Sequence, residues 1–210
     1  MKHLKKLAVA TVLVAAVLGP AATASATLVE FHAAAGTALN GGQVIENKFS
    51  ITGSNVTCKS MTISGTAAAG GSSLTQKWHP TYSECTAFGL PATVTTAGCN
   101  FEGNAETTQM KITECTGGET EAKAMVITAS NIFGKCVVEI PNQIGIAGVE
   151  YENMGGWPNR TLTIKLNSTN LRDYVRTSTG ACPLTVGTHT NASWTGSLAE
   201  MGASGETYVE

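Results

Sequence analysis

The sequence predicts an all-β fold, an antiparallel β-sandwich or barrel stapled by three disulfides. Three observations predict it. Apolar and polar residues alternate with period two in at least five segments, the pattern of a strand with one face in a core. Clusters of Gly, Pro, Asn and Thr punctuate those segments, and no capped helical stripe intervenes. Six cysteines are spread along the chain without a CxxC pair.

The chain opens MKHLKKLAVATVLVAAVLGPAATASA, three lysines followed by an apolar run from Leu7 to Leu18 and the small residues Ala24, Ser25 and Ala26. This is the layout of a signal peptide, with cleavage expected after Ala26. The apolar run falls short of the ~20 residues that span a bilayer, so no membrane span is expected after cleavage. Residues 27–210 then form a single β-rich secreted domain. Removing Lys2, Lys5 and Lys6 leaves ten Lys and Arg against fifteen Asp and Glu, a net charge of about −5. The cations stand singly, which disfavours nucleic acid as a partner, since the phosphate backbone calls for a clustered basic face.

The clearest strands are Val56 to Ser64, Gln109 to Cys115, Ala122 to Thr128, Lys135 to Ile140 and Thr161 to Ser168, where Leu162, Ile164 and Leu166 share one face. Breakers follow Gly65, Cys115, Asn153 and Ser178. Strands at this spacing without helices between them imply an antiparallel sandwich or barrel. ITGSNV from Ile51 and ITASNI from Ile127 echo each other, either as similar halves or as a coincidence of Thr-rich strands.

Cys58, Cys85, Cys99, Cys115, Cys136 and Cys182 all follow the leader, and an even count in an oxidising compartment reads as three disulfides. Their spacing disfavours zinc and redox sites, because two ligands from one turn must reach one ion or one thiol. Pairing of neighbours is the expectation among the possible connectivities: Cys58 with Cys85, Cys99 with Cys115, Cys136 with Cys182. Each pair would clip strands that a hairpin or meander already brings together.

The succession of VTC, HPTYSECTAFGLPATVTTAGC, ITEC, KCVVEIPNQ, GVEYEN, GACP and WTGS behind a signal peptide resembles a paralogous group of secreted six-cysteine proteins of high-GC Gram-positive, actinobacterial soil bacteria. The resemblance covers most of the mature chain. It implies export and an all-β fold, and it carries neither an activity nor catalytic residues.

Catalytic machinery is sparse. Beyond the leader Asp173 is the sole aspartate, the histidines are His32, His79 and His189, and no GxSxG motif occurs. His79, before Pro80, reads as a turn residue. A glycosidase needs two facing carboxylates; Glu102 with Glu106, or Glu150 with Glu152, are the candidates, and the latter read better as solvated charges. One aspartate cannot build an Asp-rich calcium loop. No cofactor, metal or catalytic residue is therefore assigned. The loop between Cys85 and Cys99, with Leu90 and Pro91 near its middle, is the segment a protease inhibitor would present. Trp78 and Trp194 read as core. In NMGGWPNR, Gly155, Gly156 and Pro158 either hold Trp157 outward for a sugar or protein contact or let it fold back as a cap, and the scarcity of aromatics favours the cap. The sequence thus points to an exported, non-catalytic cell-surface component or binding module with a glycan or protein partner, with Trp157 as the one possible ligand contact. The alternatives are a carbohydrate-acting enzyme on a β-sandwich and an extracellular protease inhibitor.

Overall fold

A computed structural model describes residues 28–119, 123–202 and 205–210; the predicted leader lies outside them. The strands are β1 (Phe31–His32), β2 (Ala38–Ile51), β3 (Ser54–Thr66), β4 (Ser72–Ser73), β5 (Thr75–Ala87), β6 (Leu90–Thr95), β7 (Asn100–Asn104) and β8 (Gln109–Thr113). They continue with β9 (Ala124–Asn131), β10 (Gly134–Pro141), β11 (Gln143–Ile146), β12 (Val149–Met154), β13 (Thr161–Gly180), β14 (Gly187–Gly202) and β15 (Tyr208–Val209). Pairing in the order β5-β3-β2-β14-β13-β10-β9-β6, with β6 returning to β5, closes an eight-stranded antiparallel barrel. The fold class is therefore all-β, and of the two expected architectures it is the barrel.

Two strands are shared between layers. Thr75–Trp78 of β5 pair with β7 while Cys85–Ala87 pair with β6. Likewise Thr161–Leu166 of β13 pair with β12, and the segment from Tyr174 to Gly180 pairs with β10. Where the partners change, side chains take over from the ladder. Gln143 donates from Nε2 to the Arg172 carbonyl (3.2 Å) and accepts at Oε1 from the Arg172 N–H (3.0 Å), and His79 Nδ1 lies 2.8 Å from the Cys99 carbonyl. Backbone groups left without a strand partner are thereby satisfied. His79 is thus a mid-strand residue and not a turn residue. Its neighbour Pro80 falls where β5 pairs with β3 alone, a stretch of edge that tolerates a missing N–H.

The interior is filled. Trp194 stacks on Phe49 at 5.0 Å between centroids and meets Phe101 at 4.8 Å, and Trp78 is also buried, so both tryptophans are core as expected. The void among Ile63, Trp78, Ile164 and Trp194 measures about 10 Å³, far below a ligand cavity. At the end where β2–β3, β5–β6, β9–β10 and β13–β14 are joined, buried Leu184 closes the mouth, its carbonyl accepting from Ser178 Oγ at 2.5 Å. Gly41 and Gly42, which look like breakers, lie within β2; a Cβ on Gly41 would sit 2.4 Å from the Ala199 carbonyl oxygen. They permit close strand approach and do not stop the strand.

The disulfides join Cys58 to Cys85, Cys99 to Cys115 and Cys136 to Cys182, the neighbour pairing. Cys58 and Cys85 face each other across β3 and β5. The two echoed hexapeptides take different roles: ITGSNV wraps the β2–β3 turn, whereas ITASNI runs along β9.

Candidate binding surface at the Trp157 turn

The turn between β12 and β13 is built by its small residues. Gly155 has φ +79°, and a Cβ there would stand 2.9 Å from the Asn159 carbonyl oxygen, while the Asn159 N–H donates to the Gly156 carbonyl at 2.8 Å. A turn this tight has no depth in which to lodge an indole, and Trp157 is 79% exposed. The expected cap does not form. The core end is closed by Phe31 of β1, whose ring meets Trp78 at 5.7 Å and Tyr151 at 4.9 Å edge-on.

Beneath the turn lies a polar and aromatic cluster drawn from both ends of the described chain. Arg160 donates from Nε to Glu206 Oε2 (3.0 Å) and from Nη2 to Oε1 (3.1 Å), a bidentate pair, and its Nη1 reaches Glu210 at 3.4 Å. The guanidinium holds the Glu206 carboxyl below the usual carboxylate range, and the carboxylate pushes the guanidinium further up. Arg160 Cζ also sits 3.4 Å from the Tyr208 ring centroid, and His32 stacks on Tyr208 at 4.8 Å. Asn153 fastens β15, donating to the Val209 carbonyl (2.6 Å) and accepting from the Val209 N–H (2.8 Å). A shallow groove of about 460 Å³ runs between His32, Gly71, Pro158, Glu206 and Tyr208. On the other side of Pro158 a smaller depression of about 170 Å³ reaches Met201, itself 61% exposed. Pro158, the residue after Trp157, therefore lines both depressions.

The sequence singled out Trp157 but not its partners. Arg160 is adjacent, yet Glu206 and Tyr208 come from the far end of the chain, and only the pairing of β15 with β1 brings them to His32. Nothing in the local pattern of those residues signals the stack.

The other candidates disperse. Glu150 and Glu152 lie on the outward face of β12, with Glu152 paired to Lys165 at 2.5 Å, as solvated charges do. Glu102 is held by Lys111 at 2.9 Å and Glu106 is exposed in the following turn. Leu90 and Pro91 begin β6, which is bonded to β5 on one side and β9 on the other, so the segment expected as a protruding loop is a barrel stave. Asp173 stands opposite His189 across β13 and β14, but its carboxyl is fully buried without a hydrogen-bond partner, and His189 Nε2 turns to the Thr185 carbonyl at 3.0 Å. Burial raises the Asp173 pKa, and His189 works against that rise. A carboxyl that neither orients its histidine nor meets solvent cannot serve as the acid of a triad.

Compared with known proteins, the chain matches no family model, no curated protein and no solved structure. The three disulfides fit an oxidising extracellular environment, and no helix among the described residues is long and apolar enough to cross a membrane.

Proposed function

We propose that this protein is an exported, non-catalytic binding module that takes a glycan on the Trp157 surface. The observation that carries the reading is a single exposed indole, on the residue next to Pro158, which itself lines a groove offering His32, Glu206 and Tyr208, while Trp78 and Trp194 are buried. A flat aromatic face covers the apolar side of a sugar ring at low conformational cost, and adjacent polar groups fix its hydroxyls. The locked Arg160–Glu206 pair suits this role: a carboxylate bound at two points by a guanidinium is a fixed acceptor and a poor proton carrier.

A glycan array probed with the oxidised protein tests the reading. Trp157→Ala is expected to weaken a glycan hit by about 1 kcal/mol or more, as truncation of a contact hot spot does, with an almost unchanged Tm because the indole touches solvent. A collapsed Tm with binding retained by the folded fraction would remove Trp157 from the site.

A further inference from the structure

We propose that the end of the barrel opposite the Trp157 turn is a membrane-docking surface, whose Ile132–Phe133 tip enters the interface of a bilayer containing anionic lipid. Strand direction gathers four connections at this end: the β2–β3 turn at 52–53, the β5–β6 turn at 88–89, the β9–β10 turn at 132–133 and the β13–β14 loop at 181–186. At the β9–β10 tip Ile132 is 91% and Phe133 70% exposed, and Val186 on the neighbouring loop is 57% exposed. Large apolar side chains this exposed, side by side on one turn, mark a contact surface.

Three features favour lipid as the occupant. First, the backbone of the tip is provided for. Asn131 Oδ1 accepts from the N–H groups of Phe133 (2.8 Å) and Gly134 (3.1 Å), and the Phe133 carbonyl accepts from Ala181 at 3.0 Å. A turn entering an apolar phase needs its polar groups satisfied internally. The Cys136–Cys182 bridge ties β10 to the β13–β14 loop just behind it. Second, none of the fifteen Asp and Glu residues lies in 51–55, 87–90, 131–135 or 180–187, whereas Lys135 stands exposed behind the tip. An acidic protein can approach an anionic surface by its acid-free end, where a lysine meets the headgroups. Third, the apolar residues project from a turn; the larger surface depressions are lined by residues outside these four connections. Projection suits insertion into a fluid phase, whereas protein partners seek a broad complementary patch. The barrel does not itself span: its outer face carries Thr57, Lys59, Thr86, Thr93, Thr128 and Ser130 where a membrane barrel turns an apolar band to lipid.

Co-sedimentation with vesicles tests the proposal, one set of phosphatidylcholine with phosphatidylglycerol, the other of phosphatidylcholine alone. The oxidised protein is expected to partition onto the anionic set, and Ile132→Ser/Phe133→Ser to lose about tenfold or more of that partitioning, as removal of two inserted apolar side chains implies. Lys135→Glu should weaken binding to the anionic set, and Trp157→Ala should bind vesicles as the wild type does, which separates this surface from the glycan reading. The tip makes no core contact, so the variants' unchanged circular dichroism and Tm serve as the folding control. Failure of the wild type to bind either vesicle overturns the proposal, as does full binding by the double variant. A dimer in solution that the double variant dissolves, without vesicle binding, assigns the tip to a second copy of the chain and overturns it too.

Discussion

Glu200 is the residue at which the filled interior makes its sharpest demand. Its side chain is buried on β14, receives the indole N–H of Trp78, and has its carboxyl pushed by burial up to about 8. An acid whose folded pKa lies above its unfolded value of 4.5 binds more protons in the native state, so stability is greatest below the unfolded pKa and falls as pH rises from about 5 to about 8. Glu200→Gln keeps an acceptor for Trp78 and removes the titration. It is expected to stabilise the protein by on the order of a few kcal/mol at pH 8 and to change little near pH 4.5, measured by denaturant unfolding across that range. Glu206 has the opposite sign and a different window: Arg160 depresses its pKa, so its contribution is lost only as pH falls below the ordinary carboxylate range. Alternation marks Glu200 as inward-facing only once β14 is known to be a strand, and the Ala and Gly content of its neighbours hides that.

At the scale of elements, period-two alternation located β3, β8, β9 and the first half of β13, because each turns mainly one apolar face inward; β10 was located too, although its residues from Cys136 to Pro141 are buried on both faces. It failed where a strand changes partner. In β5 the HPTY segment reads as a break because proline is rare in a sheet centre, and only the split between β6 and β7 turns that position into an edge. The cysteine pairing was legible because neighbours in an antiparallel meander are neighbours in space. Cys136–Cys182 spans 46 residues and Cys99–Cys115 only 16. In the chain-entropy account these loops correspond to about 4 and about 3 kcal/mol. Replacing Cys136 and Cys182 by alanine should therefore lower stability by about 1 kcal/mol more than the same change at Cys99 and Cys115, read from unfolding midpoints in urea. An equal or reversed ranking would show that native contacts around Cys99, and not loop closure, set the difference.

On the scale of the whole molecule, the two ends of the barrel are built differently, and the ends of the described chain belong to only one of them. Four connections form the Ile132–Phe133 end, while β1, β4 and β15 assemble beside the Trp157 turn, where Glu30 and Glu210 exchange backbone hydrogen bonds of 2.8 and 3.1 Å. Deleting Glu206–Glu210 removes β15, the carboxylates that hold Arg160 and the ring on which His32 stacks. It also strips one of the two partners from β1, leaving β4 alone to hold the strand whose Phe31 closes the core over Trp78. The far part of the barrel, where β6, β9 and β10 lie between the far halves of β5 and β13, makes no contact with that segment through its ladder, and the Cys58–Cys85 and Cys136–Cys182 bridges remain. The truncated protein is therefore expected to lose glycan binding and to exchange amide hydrogens faster in β12 and the first residues of β13, while β9 and β10 stay protected, because opening follows the contacts that are lost. Hydrogen exchange read by mass spectrometry distinguishes this from a uniform rise across all strands, which would mean that the two ends unfold as one unit and that the Trp157 surface cannot be loosened without melting the barrel.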